Sequence, residues 1–282
     1  MKAAVLHEVN QPLVIEDVSV PNPGPREVLI RTAVAGLCHS DLHFMEGLYP
    51  HPLPAVLGHE SAGVVEKVGS DVNYVKPGDH VVTCLSVFCG TCDNCTTGRT
   101  VLCTDTTVKM LPGASNRLSW GRKEKLNQFL NLSSFAEQML VHENAIVKIK
   151  KEMPLDLAAL IGCGVITGYG AGDLRAVDRG HADAGRIIAI DTNPAKLQLA
   201  TKLGATDIVD PARGDVVQQV RELTGGGVQH SFEVLGRKDT AEQAFAMLAA
   251  GGTATIVGMI PFGQKIELHG FDFLRERRIQ GS

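Results

Sequence analysis

Short runs of apolar residues broken by turn signals fill the first half of the chain. Residues 3–6, 28–34, 63–68 and 80–84 are rich in Val, Ile and Ala, and such runs predict strands. Pro23-Gly24-Pro25 and Lys76-Pro77-Gly78-Asp79 punctuate them. Short strands at this spacing predict a compact, barrel-like domain. The pattern then changes. Residues 186–190 read as a buried-type strand. Residues 194–203 read as a helix, with Asn193 at the N-cap, Pro194 at the first position and Gly204 at the end. A strand over 207–209, a helix over 215–223, a strand over 229–234, a helix over 240–250 and a strand over 253–257 follow. Strands alternating with helices predict a parallel sheet wound with helices. The two patterns meet near residues 163–172.

Composition narrows the function class. The 282 residues are enough for two domains, and a hydrophobic content of 44% supports an ordinary core. A net charge of −4 gives no attraction for nucleic acid or an anionic membrane, and no apolar run is long enough to span a bilayer. The opening residues MKAAVLHEV lack a basic region followed by a long apolar one, so a reducing, cytoplasmic setting is expected.

That setting changes the meaning of the cysteines. Cys89, Cys92, Cys95 and Cys103 crowd into fifteen residues, as either a disulfide knot or a tetrahedral metal site. Under reducing conditions four thiolates with no open position fit structural Zn²⁺. A second set is dispersed: Cys38, His59 and Cys163. Two thiolates and one imidazole leave a fourth position for water or substrate, which is the catalytic pattern for zinc. Taken singly, each cysteine also reads as a small core hydrophobe and His59 as a satisfied core histidine.

The company of these motifs supplies a family. Gly36-Leu-Cys-His-Ser-Asp-Leu-His43, Gly58-His-Glu-Ser-Ala-Gly-Val-Val65, the four-cysteine lobe and Gly162-Cys-Gly-Val-Ile-Thr-Gly-Tyr-Gly-Ala171 resemble the zinc-containing medium-chain alcohol dehydrogenases. The resemblance covers residues 1 to about 171 and about 185 to 282. It implies an α/β chain: a GroES-like β-barrel-type catalytic domain over 1–165, then a Rossmann-like doubly wound parallel sheet over 166–282. It also implies an active site in the cleft between them. The implied activity is oxidation of a primary or aromatic alcohol to an aldehyde by hydride transfer to NAD. The implied partners are a small alcohol or aldehyde and further copies in a homodimer or homotetramer.

Carried over by residue, the resemblance makes Cys38, His59 and Cys163 ligands of a catalytic zinc, and Cys89, Cys92, Cys95 and Cys103 ligands of a structural one. Glu60 matches a carboxylate that swings in as a further ligand. Asp41 matches the partner that fixes the zinc histidine's tautomer. Ser40 and His43 match the relay that carries the alcohol proton to solvent, although both also suit the start of a helix. Leu85 and Phe129 fall where the family lines its substrate pocket. Asp191, ending the strand over 186–190, matches the acidic residue on the adenosine ribose, with Lys196 as its companion. A carboxylate there favours NAD over its 2′-phosphorylated form.

Residues 172–185 break the pattern. The family places here a strand, the fingerprint G-x-G-x-x-G and a helix, whereas this chain reads Gly172-Asp-Leu-Arg-Ala-Val-Asp-Arg-Gly-His-Ala-Asp-Ala-Gly185. A central parallel strand should be continuously apolar. The segment reads as the scar of an internal deletion or a shifted reading frame, which would leave the Rossmann-like sheet without its first strand and split it in two. The family chain also continues past Ser282, so a truncated C-terminus is expected. Two functions follow: a zinc-dependent dehydrogenase with an altered cofactor cradle, or a zinc-binding remnant that has lost dinucleotide binding and activity.

Overall fold

The computed structural model describes residues 1–109, 117–120, 124–177 and 185–282. Contacts divide the chain into two compact units, Met1–Ile166 and Thr167–Ser282. Among the described residues no helix is long and apolar enough to cross a membrane.

The first unit is built on two open sheets. A five-stranded antiparallel sheet runs in the order Gln138–His142, Glu27–Ala35, Ser61–Val68, His80–Thr83 and Ile146–Ile149. A four-stranded sheet runs in the order Val14–Asp17, Lys2–Leu6, Ala55–Val56 and Asn127–Gln128. The described strands do not close into a barrel, so the expected barrel-type domain is a pair of open sheets instead. Val28, Ile30, Val65, Val81, Met139 and Val141 form the main core, each nearly inaccessible to solvent. A fully buried aliphatic side chain of this size contributes about 1.5–3 kcal/mol. Cys89, Cys95 and Cys103 pack against the same cluster, so the lobe is continuous with the core.

The second unit carries parallel strands in two separate groups. Ile188–Ile190 pairs with Asp207–Val209. Val228–Glu233, Leu248–Ile256 and Arg278–Gly281 form the other group, in that order. Among the described residues no strand joins the two groups. Helix Val216–Thr224 holds them on one face. Its Val216 and Val220 pack in one cluster with Val209 and Ile188 from one group and with Val228 and Met247 beside the other. Apolar side chains are exposed at the ends of both groups. Ile187 is 49% exposed and Val234 is 64% exposed at strand ends that a complete sheet of this type would bury.

Residues 172–177 take the end of helix Gly164–Val177 and form no strand. Residues 178–184, the rest of the deviant segment before Gly185, lie outside the described residues. One sequence boundary shifts for a clear reason. The helix expected to reach residue 250 ends at Ala246, and the next strand begins at Leu248. Leu248 pairs with Val228, and the register then slips before His230, a bulge that Gly251 (φ 74°) and Gly252 permit.

Candidate metal centres

Local chain chemistry brings the dispersed ligands together. Cys38 stands at the N-cap of helix His39–Met45. Asp41, in the first turn, reaches back to accept a hydrogen bond from the Cys38 N–H at 3.3 Å. The same buried carboxylate accepts from the Gly58 N–H at 3.1 Å and from His59 Nδ1 at 3.0 Å. Asp41 therefore ties the Cys38 turn to the His59 turn and leaves His59 Nε2 free for a ligand. Gly58 has φ 91°, and a Cβ there would stand 2.6 Å from Phe135, so only glycine turns the chain tightly enough to present His59. Gly162 is pressed against the Thr83 carbonyl, and this close approach places Cys163.

The resulting geometry could hold a metal ion. Cys38 Sγ and Cys163 Sγ are 3.8 Å apart, and Cys163 Sγ lies 3.5 Å from His59 Nε2. A tetrahedral zinc with ordinary bond lengths would hold two sulfurs about 3.8 Å apart and a sulfur and an imidazole nitrogen about 3.5 Å apart. All three ligand atoms lie within 4.8 Å of one another. Their charges are shaped to match. Hydrogen bonds from Cys163, then from His59, hold the Cys38 thiol down at about 3, against the opposing effect of burial. Burial works against a charged His59, but the Asp41 hydrogen bond and the Cys38 sulfur outweigh it and lift the ring to about 9. Cys38 is thereby favoured as a thiolate and His59 as a strongly basic ring, both donor types that zinc binds.

The lobe forms the second centre. Sulfur separations there are 3.5 Å for Cys92–Cys95, 3.9 Å for Cys89–Cys95 and 3.9 Å for Cys92–Cys103. A disulfide would need about 2.05 Å, so the four are free thiols at metal-site spacing. Backbone N–H groups of Thr91 and Cys92 point at Cys89 Sγ at 3.3 Å, and that of Cys89 at Cys103 Sγ at 3.3 Å. The Thr91 hydroxyl and these amides lower the Cys89 thiol, and amides of Thr104 and Cys95 hold Cys92 at about 6. Such donors stabilise the thiolates of Cys89 and Cys92, the form a metal binds, whereas burial pushes the Cys95 thiol up to about 11.

Ser40, His43, Glu60 and Phe129 lie in the first unit, which carries this centre, and Asp191 and Lys196 lie in the second unit. The Ser40 hydroxyl and N–H both reach the Cys38 thiol. His43 is buried, its Nδ1 has no hydrogen-bond partner, and its ring meets His39 edge-on at 4.8 Å. Phe129 is fully buried with its ring 6.0 Å from that of His59. Leu85 packs on the main core as well. Glu60 lies against Gly36 and accepts a hydrogen bond from the Gly164 N–H at 2.9 Å. Asp191 ends strand Ile188–Ile190, accepts from the Asn193 N–H at 2.8 Å and stands 3.8 Å from Lys196 Nζ. Asn193 itself caps the following helix.

The sequence reading missed an aromatic wall. Phe44 and His51 meet Phe129 edge-on at 4.7 and 5.2 Å, and Tyr49 stacks over His43 at 6.2 Å. The clustering of Phe44, Tyr49 and His51 between the two ligand motifs was the available signal.

Comparison with known proteins places the chain among zinc-binding dehydrogenases. Residues 24–151 match the model of the alcohol dehydrogenase GroES-like domain, and residues 179–282 match that of the zinc-binding dehydrogenases. The chain is 36% identical to the class-3 alcohol dehydrogenase of Drosophila melanogaster, covering 100% of this chain and 82% of that one. That alignment runs over 312 positions, 30 more than the chain's 282 residues, so it passes over positions with no counterpart here. Benzyl alcohol dehydrogenase from Acinetobacter calcoaceticus superimposes with a TM-score of 0.88 at 30% identity, over 100% of this chain and 83% of that one. A zinc-binding dehydrogenase from Sinorhizobium meliloti 1021 bound to NADP gives a TM-score of 0.77 at 30% identity, with the same coverage.

Proposed function

We propose that this chain, which belongs to the zinc-containing medium-chain alcohol dehydrogenase family, oxidises primary or aromatic alcohols to aldehydes with NAD, using Cys38, His59 and Cys163 as its open metal centre. The observation that carries the reading is the agreement of the 3.8 Å and 3.5 Å donor separations with a zinc ion at ordinary bond lengths. Zinc would supply Lewis-acid polarisation of the alcohol oxygen.

The chain's own residues have separate tasks. Asp41 holds the His59 tautomer, so that Nε2 faces the metal position. Ser40 stands beside Cys38, where a substrate hydroxyl could pass it a proton. His43, its Nδ1 unpartnered, is the next acceptor towards solvent. Phe129, backed by Phe44 and His51, gives the site an apolar aromatic wall that suits an aromatic alcohol. The benzyl alcohol activity named for the Acinetobacter relative supports that choice.

The dinucleotide fits this chain at one end. Asp191 sits at the carboxyl end of its strand, where a carboxylate favours a ribose 2′-hydroxyl. Among the described residues no G-x-G-x-x-G turn joins a strand to a helix to take the pyrophosphate; the glycine turn at Gly236, between strand Val228–Glu233 and helix Lys238–Ala246, lacks that fingerprint. This divided fit favours a second reading, in which the chain keeps both zincs and has lost the cofactor.

Purified, zinc-replete protein is expected to oxidise benzyl alcohol at a rate that rises with NAD without saturating in the micromolar range. His59→Ala should abolish that turnover while the lobe zinc stays. Absence of turnover in the zinc-replete wild type would select the remnant instead.

A further inference from the structure

We infer that Glu60 is a positioning residue that brackets the open metal centre, holding the three ligand-bearing turns in register through its side chain and its backbone. The inference rests on the reading of Cys38, His59 and Cys163 as metal ligands.

Three contacts carry it. Glu60 follows His59 directly and is 4% exposed. One carboxylate oxygen, Oε1, accepts a hydrogen bond from the N–H of Gly164, the residue after Cys163, at 2.9 Å. The other, Oε2, lies against Gly36, two residues before Cys38, and a Cβ on Gly36 would stand only 2.7 Å from it. The Glu60 carbonyl also accepts from the Gly36 N–H at 2.7 Å. Each of the three metal-binding turns is therefore touched by this one residue. Asp41 joins only two of them, the turns of Cys38 and His59.

The glycines explain why the bracket closes. A side chain on Gly36 would displace the carboxylate, and a Cβ on Gly164 would meet Oε1 at 3.2 Å. The carboxylate fills a niche shaped by two missing side chains, with Oε1 at the start of helix Gly164–Val177. An acceptor oxygen there satisfies an N–H of the helix's first turn, which has no partner within the helix. Cys163 is the ligand most distant in sequence, and the bond from Glu60 to Gly164 is a direct link between its turn and that of His59. In this arrangement the Glu60 carboxylate is committed to Gly36 and Gly164, and it acts on the metal through them.

The test is zinc retention by the full chain against a graded series of chelator concentrations, with zinc per chain counted by elemental analysis. Loss of partners that orient metal ligands typically weakens metal binding about 10- to 100-fold, and Glu60→Ala should release the open-site zinc at chelator levels lower by that factor. The lobe zinc should stay and serve as the folding control. Glu60→Gln keeps an oxygen that can accept from Gly164 and should retain zinc as the wild type does. A Glu60→Ala protein that holds its second zinc like the wild type would overturn the bracket. Equal weakening in Glu60→Gln and Glu60→Ala would also overturn it, because the charge rather than the hydrogen bond would then be what matters. If Glu60→Ala loses the lobe zinc too, Gly36→Ala takes its place, and unchanged zinc retention there rejects the bracket. A wild type with a single zinc would fail the metal reading itself and the bracket with it.

Discussion

Titration with NADH is expected to show binding weaker by about two to four decades than a dinucleotide site with an intact pyrophosphate cradle. In a complete sheet of this kind the first strand, its glycine turn and the following helix N-terminus bind both phosphates. Here Ile188–Ile190 and Val228–Glu233 belong to separate strand groups, and residues 172–177 are helical. Each lost backbone hydrogen bond to a charged oxygen costs about 1.5–3 kcal/mol. The lost helix dipole costs about 0.3–1 kcal/mol more. Losing two such bonds already gives the stated range at about 1.4 kcal/mol per decade. Asp191 and Lys196 can still meet the ribose, but Asp191 only accepts and the Lys196 ammonium lies 3.8 Å from it, so the pair does not replace a cradle of backbone amides. Saturable binding at micromolar NADH would show that the chain has rebuilt a phosphate site, and the remnant reading would be dropped.

The second large effect concerns the lobe. Cys103→Ser is expected to remove about one zinc per chain and to lower the melting temperature, because structural zinc contributes directly to folding, by about 10–16 kcal/mol in small zinc-binding peptides. In this chain the effect should spread beyond the lobe. Cys89, Cys95 and Cys103 pack in one cluster with Val28, Ile30 and Val81 of the five-stranded sheet, so loosening the lobe uncovers part of that core. Limited proteolysis should cut first within residues 89–103. An unchanged zinc count in Cys103→Ser would reject the lobe as a metal centre.

Local signals were the most legible part of the chain. The four lobe cysteines announce a closed site because all its donors lie within fifteen residues, and the Asn193–Pro194 helix start is a purely local signal. The open centre is different, since Cys163 lies 104 residues beyond His59 and only folding brings the two to 3.5 Å. Its donor types and the family motif pointed to it, but its bracing did not follow from either. That Glu60 rests between Gly36 and Gly164 depends on backbone approach in three dimensions, which no spacing reveals. The aromatic wall was hidden for a related reason, because Phe44, His51 and Phe129 converge from separate turns. Strand ends were misjudged where a bulge intervened, as at Leu248, since a register slip leaves little trace in an apolar pattern. The divided sheet was legible because a missing apolar strand is a local fact of composition.

The central claim is that Cys38, His59 and Cys163 form an open zinc centre distinct from the lobe. Elemental analysis of the purified wild type beside Cys163→Ala tests it most directly. The account predicts two zinc ions per chain in the wild type and one in Cys163→Ala. A single zinc in the wild type, or two in Cys163→Ala, would contradict it.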